Sequence, residues 1–208
     1  QENITHIHNF KNTPHLLLVM RVLTKDEINL NKGLFFSIMR HNLFIYPTDT
    51  IYGIGCNATN LEAVQRVREL KQSPEQPFSI IAPNKNWIKE HCIITPEAEE
   101  WLQKLPGPYT LILKLKQQNS IAANVSPGRN TIGVRMPNHW IMDKVNAFGL
   151  PIITTSANIT GENFMTDSEN LSQHIKQEVD FLIDDGKIEG RPSTLVHLET
   201  DEVFVKQR

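Results

Sequence analysis

The chain has 208 residues, 39% of them hydrophobic and 21% charged, with a formal net charge of −2. This balance excludes a disordered chain and predicts one globular domain over residues 1–208, with no overall basic excess of the kind that marks a nucleic-acid binder. No apolar run approaches the roughly 20 residues that span a bilayer, so no membrane partner is expected.

In chain order, the opening "QENITHIHNF" is polar and carries no signal-peptide core. Residues 25–39 predict a helix. "LFIYP" (43–47) predicts a short buried strand ended by proline. "NLEAVQRVRELK" (60–71) places apolar residues at 61, 64, 67 and 70, which predicts an amphipathic helix with Asn60 as its N-cap. "FSIIA" (78–82) reads as a strand between prolines. Residues 95–105 read as a helix with Thr95 as cap and Pro96 in the first helical position. Strands are predicted at 109–115 and 131–137, a helix at 139–149 stopped by Gly149, and a strand at 151–155. A helix at 168–175 and strands at 179–184, 194–198 and 202–206 complete the chain. Alternating elements predict an α/β fold with a mixed sheet. The last three strands have little helix between them, which predicts an antiparallel part. Cys56 and Cys92 have neither CxxC nor zinc-site spacing, so two reduced thiols and a cytoplasmic location are expected.

Four segments share a layout in which an apolar strand delivers small polar residues or glycine at its end: "YPTDTIYGIGCNA" (46–58), "KLPGPYTLILK" (104–114), "SPGRNTIGVRMPNH" (126–139) and "PIITTSANITG" (151–161). Hydroxyls and backbone amides near glycines suit phosphate and carboxylate oxygens, and ligands of α/β sheets sit at strand ends. Three of the segments also have a plainer reading. Thr48, Asp49 and Thr50 would make a turn between strands, "PGP" a rigid loop, and residues 154–158 a cap for the next element. Arg135 follows an apolar strand, and a buried arginine needs an acidic partner or an anionic ligand. The chain has no GxxxxGK[ST], no GxGxxG after a strand, no HExxH and no GxSxG. His41 and His139 stand beside these segments and read as solvated or loop histidines.

Taken together and in this order, these four segments and the later "DDGKIEGRPSTLVHL" resemble the YrdC/YciO family of threonylcarbamoyl-AMP synthases, over roughly residues 40 to 206. The resemblance implies a twisted mixed parallel/antiparallel sheet with flanking helices around a large concave cavity. It implies that L-threonine, bicarbonate (or CO2) and ATP are turned into threonylcarbamoyl-adenylate and pyrophosphate for the t6A modification of tRNA, with transfer enzymes downstream. Mg2+ would come in on the ATP phosphates. By family match, Arg135 would hold the threonine carboxylate, and Thr48, Ser193 and Thr154 would contact threonine. Thr131, Ser156 and Asn158 would face the nucleotide, Lys71 the phosphates, and Lys206 would stand where the family has a C-terminal arginine. The chemistry fits such a site, because an adenylate-forming attack on the α-phosphorus needs positioning and charge stabilisation more than covalent help.

The chain departs from the family pattern at "LKQSPEQPFSI". Ser73 replaces the arginine of a Lys-x-Arg motif, and Gln76 replaces a lysine often found before the next proline. Arg68, Lys85 and Arg129 are the nearby candidates for supplying the lost charge. A YciO-like paralogue with weak or different activity is the alternative these departures favour. A module for tRNA or double-stranded RNA is a further alternative, and the net charge of −2 speaks against it.

Overall fold

The computed structural model describes residues 20–200 and 202–207. The polar N-terminal stretch lies outside them. The described residues form ten strands, β1 Arg21–Thr24, β2 Phe44–Tyr46, β3 Gly53–Gly55, β4 Ser79–Ile81, β5 Tyr109–Lys114, β6 Thr131–Arg135, β7 Ile152–Ser156, β8 Phe181–Asp184, β9 Thr194–His197 and β10 Phe204–Lys206. They also form helices α1 Lys25–Leu30, α2 Lys32–His41, α3 Leu61–Lys71, α4 Lys85–His91, α5 Pro96–Gln103, α6 Ile141–Phe148 and α7 Gln173–Glu178. All ten strands join one sheet in the order β1-β8-β2-β3-β7-β4-β6-β5-β9-β10. The sheet is mixed, as expected.

Local chemistry explains where the elements fall. Asn60 caps α3 by accepting from the Ala63 amide, and Thr95 caps α5 in the same way through Ala98. The single helix expected over 25–39 is two helices. Asn31 ends α1 through its backbone amide and caps α2 with its side chain, which accepts from the Leu34 amide at 2.9 Å; a short polar side chain competes with the helical backbone in this way. The helix expected at 168–175 is also split, into a 3-10 turn at Ser168–Asn170 capped by Asp167 and α7 capped by Ser172. Strands β1 and β3 and helix α4 had no clear sequence signal.

The expected antiparallel pairing of the last three strands holds only for β9 with β10. Strand β8 instead lies parallel between β1 and β2, and β9 lies parallel to β5. Residues 185–193 therefore carry the chain from the second position of the sheet to the ninth. At about 4.8 Å per strand a flat sheet would separate those positions by roughly 34 Å. Ten peptide steps reach at most roughly 36 Å when fully extended. This crossing bends at Gly186, where φ is +76°, and touches down on the way, so the sheet must curl beneath it. The curl produces a concave face with strand ends at its rim. The core behind it packs Phe35, Ile38, Phe44, Ile45, Tyr46, Ile54 and Val64 from β2, β3, α2 and α3 with Ile80, Leu111, Val134 and Ile153 from the other half, all buried.

Candidate functional site

The "PTDT" loop is both a turn and a wall. The Thr48 hydroxyl accepts from the amides of Thr50 (3.1 Å) and Ile51 (3.3 Å) and donates to the Ile51 carbonyl at 2.7 Å. The Thr50 hydroxyl lies 2.9 Å from it, within hydrogen-bond distance. Thr50 in turn accepts from Arg135 Nη2 at 3.0 Å. The same Nη2 donates to Asp49 Oδ1 at 2.9 Å, and Asp49 Oδ2 accepts from the Asn138 amide at 2.8 Å. Arg135 is buried and its pKa is pulled down by burial, which Asp49 opposes. The acidic partner required of a buried arginine is therefore present, next to the turn's first threonine. The pairing uses one corner of the guanidinium. Arg135 Nε is buried and has no partner, an arrangement native interiors rarely leave without a ligand or water.

Arg135 lines a cavity of about 190 Å³ together with Thr48, Tyr52, Ser79, Thr110, Thr154, Thr155, Ser156 and Ser193, and with Ile51, Gly53, Pro77, Phe78, Phe164 and Pro192. The strand register assembles this wall. Ser79 of β4 pairs with Gly133 of β6 on one side and with Thr154 of β7 on the other. Gly133 lies between Thr131 and Arg135 on one face of β6, and a Cβ there would collide with the Ser79 hydroxyl. Thr110 of β5 and Ser193 share a hydrogen bond of 2.7 Å between their hydroxyls. Ser193 arrives on the crossing segment, whose Gly190 lies so close to the Thr50 backbone that no side chain fits. The 48–51 loop and the crossing segment both border the cavity. Its volume is that of an amino-acid-sized ligand.

Of the nine residues expected at the site, Thr48, Arg135, Thr154, Ser156 and Ser193 line this cavity. Lys71 lies just behind it. Its ammonium donates to the carbonyls of Ser156 (2.8 Å) and Asn158 (2.6 Å) and to Asn158 Oδ1 (3.3 Å). Burial pulls its pKa down to about 8. The Asn158 side chain bonds the Ser156 hydroxyl and donates to the Glu162 carbonyl. Thr131 shares the Arg135 face of β6 but lies beyond the lining. Lys206 is exposed on the edge strand β10, paired with Leu195 of β9 and outside the lining.

None of the three nearby cations replaces the missing arginine in the lining. Arg68 is buried, and its guanidinium donates to the carbonyls of Asn124 (2.7 Å), Ser73 (2.8 Å), Gln76 (3.0 Å), Val125 (3.1 Å) and Pro74 (3.2 Å). It also lies over the Phe78 ring, 4.4 Å from the centroid. Lys85 opens α4, and Arg129 borders a separate small cavity with Ser126 and Gly128.

The family described as "Telomere recombination" (Sua5/YciO/YrdC) matches residues 37–207 of this chain. The chain belongs to the Sua5/YciO/YrdC family. A protein of Methanocaldococcus jannaschii, provisionally named a threonylcarbamoyl-AMP synthase, is 33% identical over 192 residues, which cover 89% of this chain and 90% of that protein. The crystal structure of Sua5 from Pyrococcus abyssi with L-threonine is similar with a TM-score of 0.79 at 27% identity, covering 90% of this chain. This chain spans 56% of that Sua5 chain. The crystal structure of YciO from Escherichia coli has the same fold, with a TM-score of 0.77 at 24% identity over 91% of this chain and 94% of YciO.

Several parts of this site escaped sequence reading. Asp49 was readable only as a turn residue, because its partner is 86 positions away. Ser79 and Thr110 are each single hydroxyls inside apolar strands, and that isolation was the available signal. "PGP" gave the rigid loop: the Gly107 amide bonds the Met136 carbonyl at 2.9 Å. Tyr52 and Phe164 had no signal beyond their positions.

Proposed function

We propose that this chain is a threonylcarbamoyl-AMP synthase, a nucleotidyltransferase that makes threonylcarbamoyl-adenylate and pyrophosphate from L-threonine, bicarbonate or CO2, and ATP. The observation that carries this reading is the buried, unpartnered Nε of Arg135 in a hydroxyl-lined cavity of amino-acid size. A threonine carboxylate there would complete the guanidinium's hydrogen bonds, while Thr110, Thr154 and Ser193 offer partners to its hydroxyl and amine, and Thr48, whose own hydroxyl is engaged in the turn, lines the wall. The amine would take up CO2 as a carbamate, and a carbamate oxygen would attack the α-phosphorus of ATP. The chain's part is to hold the carboxylate, exclude water on the closed side and aim the carbamate toward the open side at Ser156, where the nucleotide lies in this reading. Thr131, Asn158, Lys71 and Lys206 belong to this nucleotide side only as proposals.

Magnesium fits this arrangement as a passenger of the triphosphate. Among the described residues no three His, Cys, Asp or Glu side chains gather as a metal site. Asp49, the carboxylate behind Arg135, already has both oxygens engaged. The ion would neutralise phosphate charge. The product would supply t6A modification of tRNA through transfer enzymes acting downstream. The chain would work as a single domain in the cytoplasm. Among the described residues no helix is long and apolar enough to cross a membrane.

A YciO-like activity is the second reading. It is favoured by the charge at the site: among the described residues Arg135 is the sole cation in the lining, and Arg68 and Lys71 are both tied to carbonyls. The test is to incubate the protein with ATP, threonine, bicarbonate and magnesium and measure pyrophosphate and the adenylate. Pyrophosphate that depends on both threonine and bicarbonate is expected. Its absence rejects the synthase reading. Failure to complement a strain lacking the synthase, despite such activity, favours the second reading.

A further inference from the structure

The crossing segment, residues 185–193, forms one side of the cavity. It is fastened to the molecule by a group that none of the roles above includes. The Asp185 carboxylate accepts from Trp140 Nε1 at 2.7 Å and lies 3.1 Å from His139 Nε2, both through Oδ2. His139 was readable only as a solvated or loop histidine, yet its side chain is 15% exposed and paired with this acid. The preceding residue, Asn138, donates its amide to Asp49, which orients Arg135. The three residues 138–140 therefore hold two acids. One belongs to the loop behind Arg135, the other to the segment that delivers Pro192 and Ser193.

We propose that Asp185 is a positioning residue for the amino-acid end of the site. By anchoring the 138–140 turn it fixes the Asp49–Arg135 pair and the Ser193 wall relative to each other. Removing it frees the turn from one side, and both walls lose a common reference. Other anchors remain: the Tyr52 hydroxyl bonds the Gly186 carbonyl at 2.7 Å and accepts from the Asp185 amide at 3.0 Å, and the Ile188 amide bonds the Thr166 carbonyl. The segment therefore stays attached without Asp185, and the expected loss is in alignment rather than in folding. The amino-acid ligand should feel it more than the nucleotide, because Asp185 acts through residues 49, 135 and 193.

The inference rests on threonine being the ligand of Arg135, and its test separates the two. Calorimetric titration with L-threonine alone is run on the parent, Asp185→Ala and Asp185→Asn. In parallel, tryptic cleavage after Lys187, an exposed residue within the segment, is timed without ligand. Asp185→Ala should weaken threonine binding about tenfold, the loss of one charge-assisted anchor, and should speed cleavage after Lys187. Asp185→Asn keeps an acceptor for Trp140 and should recover part of both effects. ATP affinity should change less than threonine affinity. Trp140→Phe, which removes only the Nε1 donor, should move both readouts in the same direction and serves if Asp185→Ala does not fold. A parent that does not bind threonine rejects the proposed ligand while the cleavage rates still report on the anchor. Unchanged cleavage and unchanged threonine affinity in Asp185→Ala overturn the positioning role.

Discussion

Arg68 and Arg135 are nearly equally buried, at 4% and 6% exposure, and they are used in opposite ways. Among the described residues Arg68 has no carboxylate partner. It gathers five backbone carbonyls and lies on Phe78, so it closes the 73–76 and 124–125 loops onto α3. Arg135 has a carboxylate partner and yet leaves Nε unsatisfied at a cavity. Burial alone does not separate a structural arginine from a ligand-binding one. The hydrogen-bond inventory does: a guanidinium whose donors are all used is part of the scaffold, and one with an unused buried donor awaits an acceptor.

The contrast is broken most directly at Arg68. Arg68→Ala takes a donor from five carbonyls, of which Val125 keeps the Phe78 amide, and should destabilise the fold by at least about 3 kcal/mol, read from urea denaturation. The fraction that remains folded should bind threonine as the parent does. Loss of threonine binding with stability intact would reverse the assignment of the two arginines.

Lys71 tests whether the charge behind the cavity is scaffold as well. Its native pKa is pulled by burial to about 8, against an ordinary value of about 10.4. Below pH 8 both folded and unfolded chains hold the proton, and the native state carries the full cost of burying the charge. Between pH 8 and about 10.4 the native state releases the proton first, so stability rises with pH in that window. Relative to Lys71→Met, which has no such group, the parent should gain about 2–3 kcal/mol between pH 7 and pH 10. A difference that stays flat across this range would mean that Lys71 is not desolvated, and is free to meet phosphate.

Arg135→Lys is the gentlest change. A lysine keeps the charge opposite Asp49 and loses the planar fork. Threonine affinity should fall roughly 10- to 100-fold, worth about 1.4–2.8 kcal/mol, with the thermal midpoint shifted by only a few degrees. A midpoint that collapses while threonine affinity persists would place Arg135 with Arg68 as scaffold.

Sequence reading located the strand ends because local rules govern them. An apolar run that stops in Thr48-Asp49-Thr50 or in Thr154-Thr155-Ser156 announces a polar rim whatever the partners are. Asn60 and Thr95 likewise announced their helices through their own side chains. What stayed hidden depends on distant pairing. The placement of β8 beside β2 sends residues 185–193 across the site, and no local pattern encodes that choice. The Asp49–Arg135 and Asp185–Trp140 contacts are hidden for the same reason. The split of 25–39 at Asn31 was local and still missed, because the apolar spacing continues through it while the side chain chooses a cap over a turn of helix.

The curl imposed by the crossing segment also bears on how the protein reaches its native state. Arg21 of β1 pairs with Phe181 of β8, and Tyr109 of β5 pairs with Thr194 of β9. Contacts this remote in sequence close late and slowly, since chain entropy must be lost before they are rewarded. The cavity draws on residues from Thr48 to Ser193, so no fragment and no half-assembled sheet contains it. A ligand that needs the completed cavity therefore binds only the finished molecule, and it shifts the folding equilibrium of the whole chain rather than of one region.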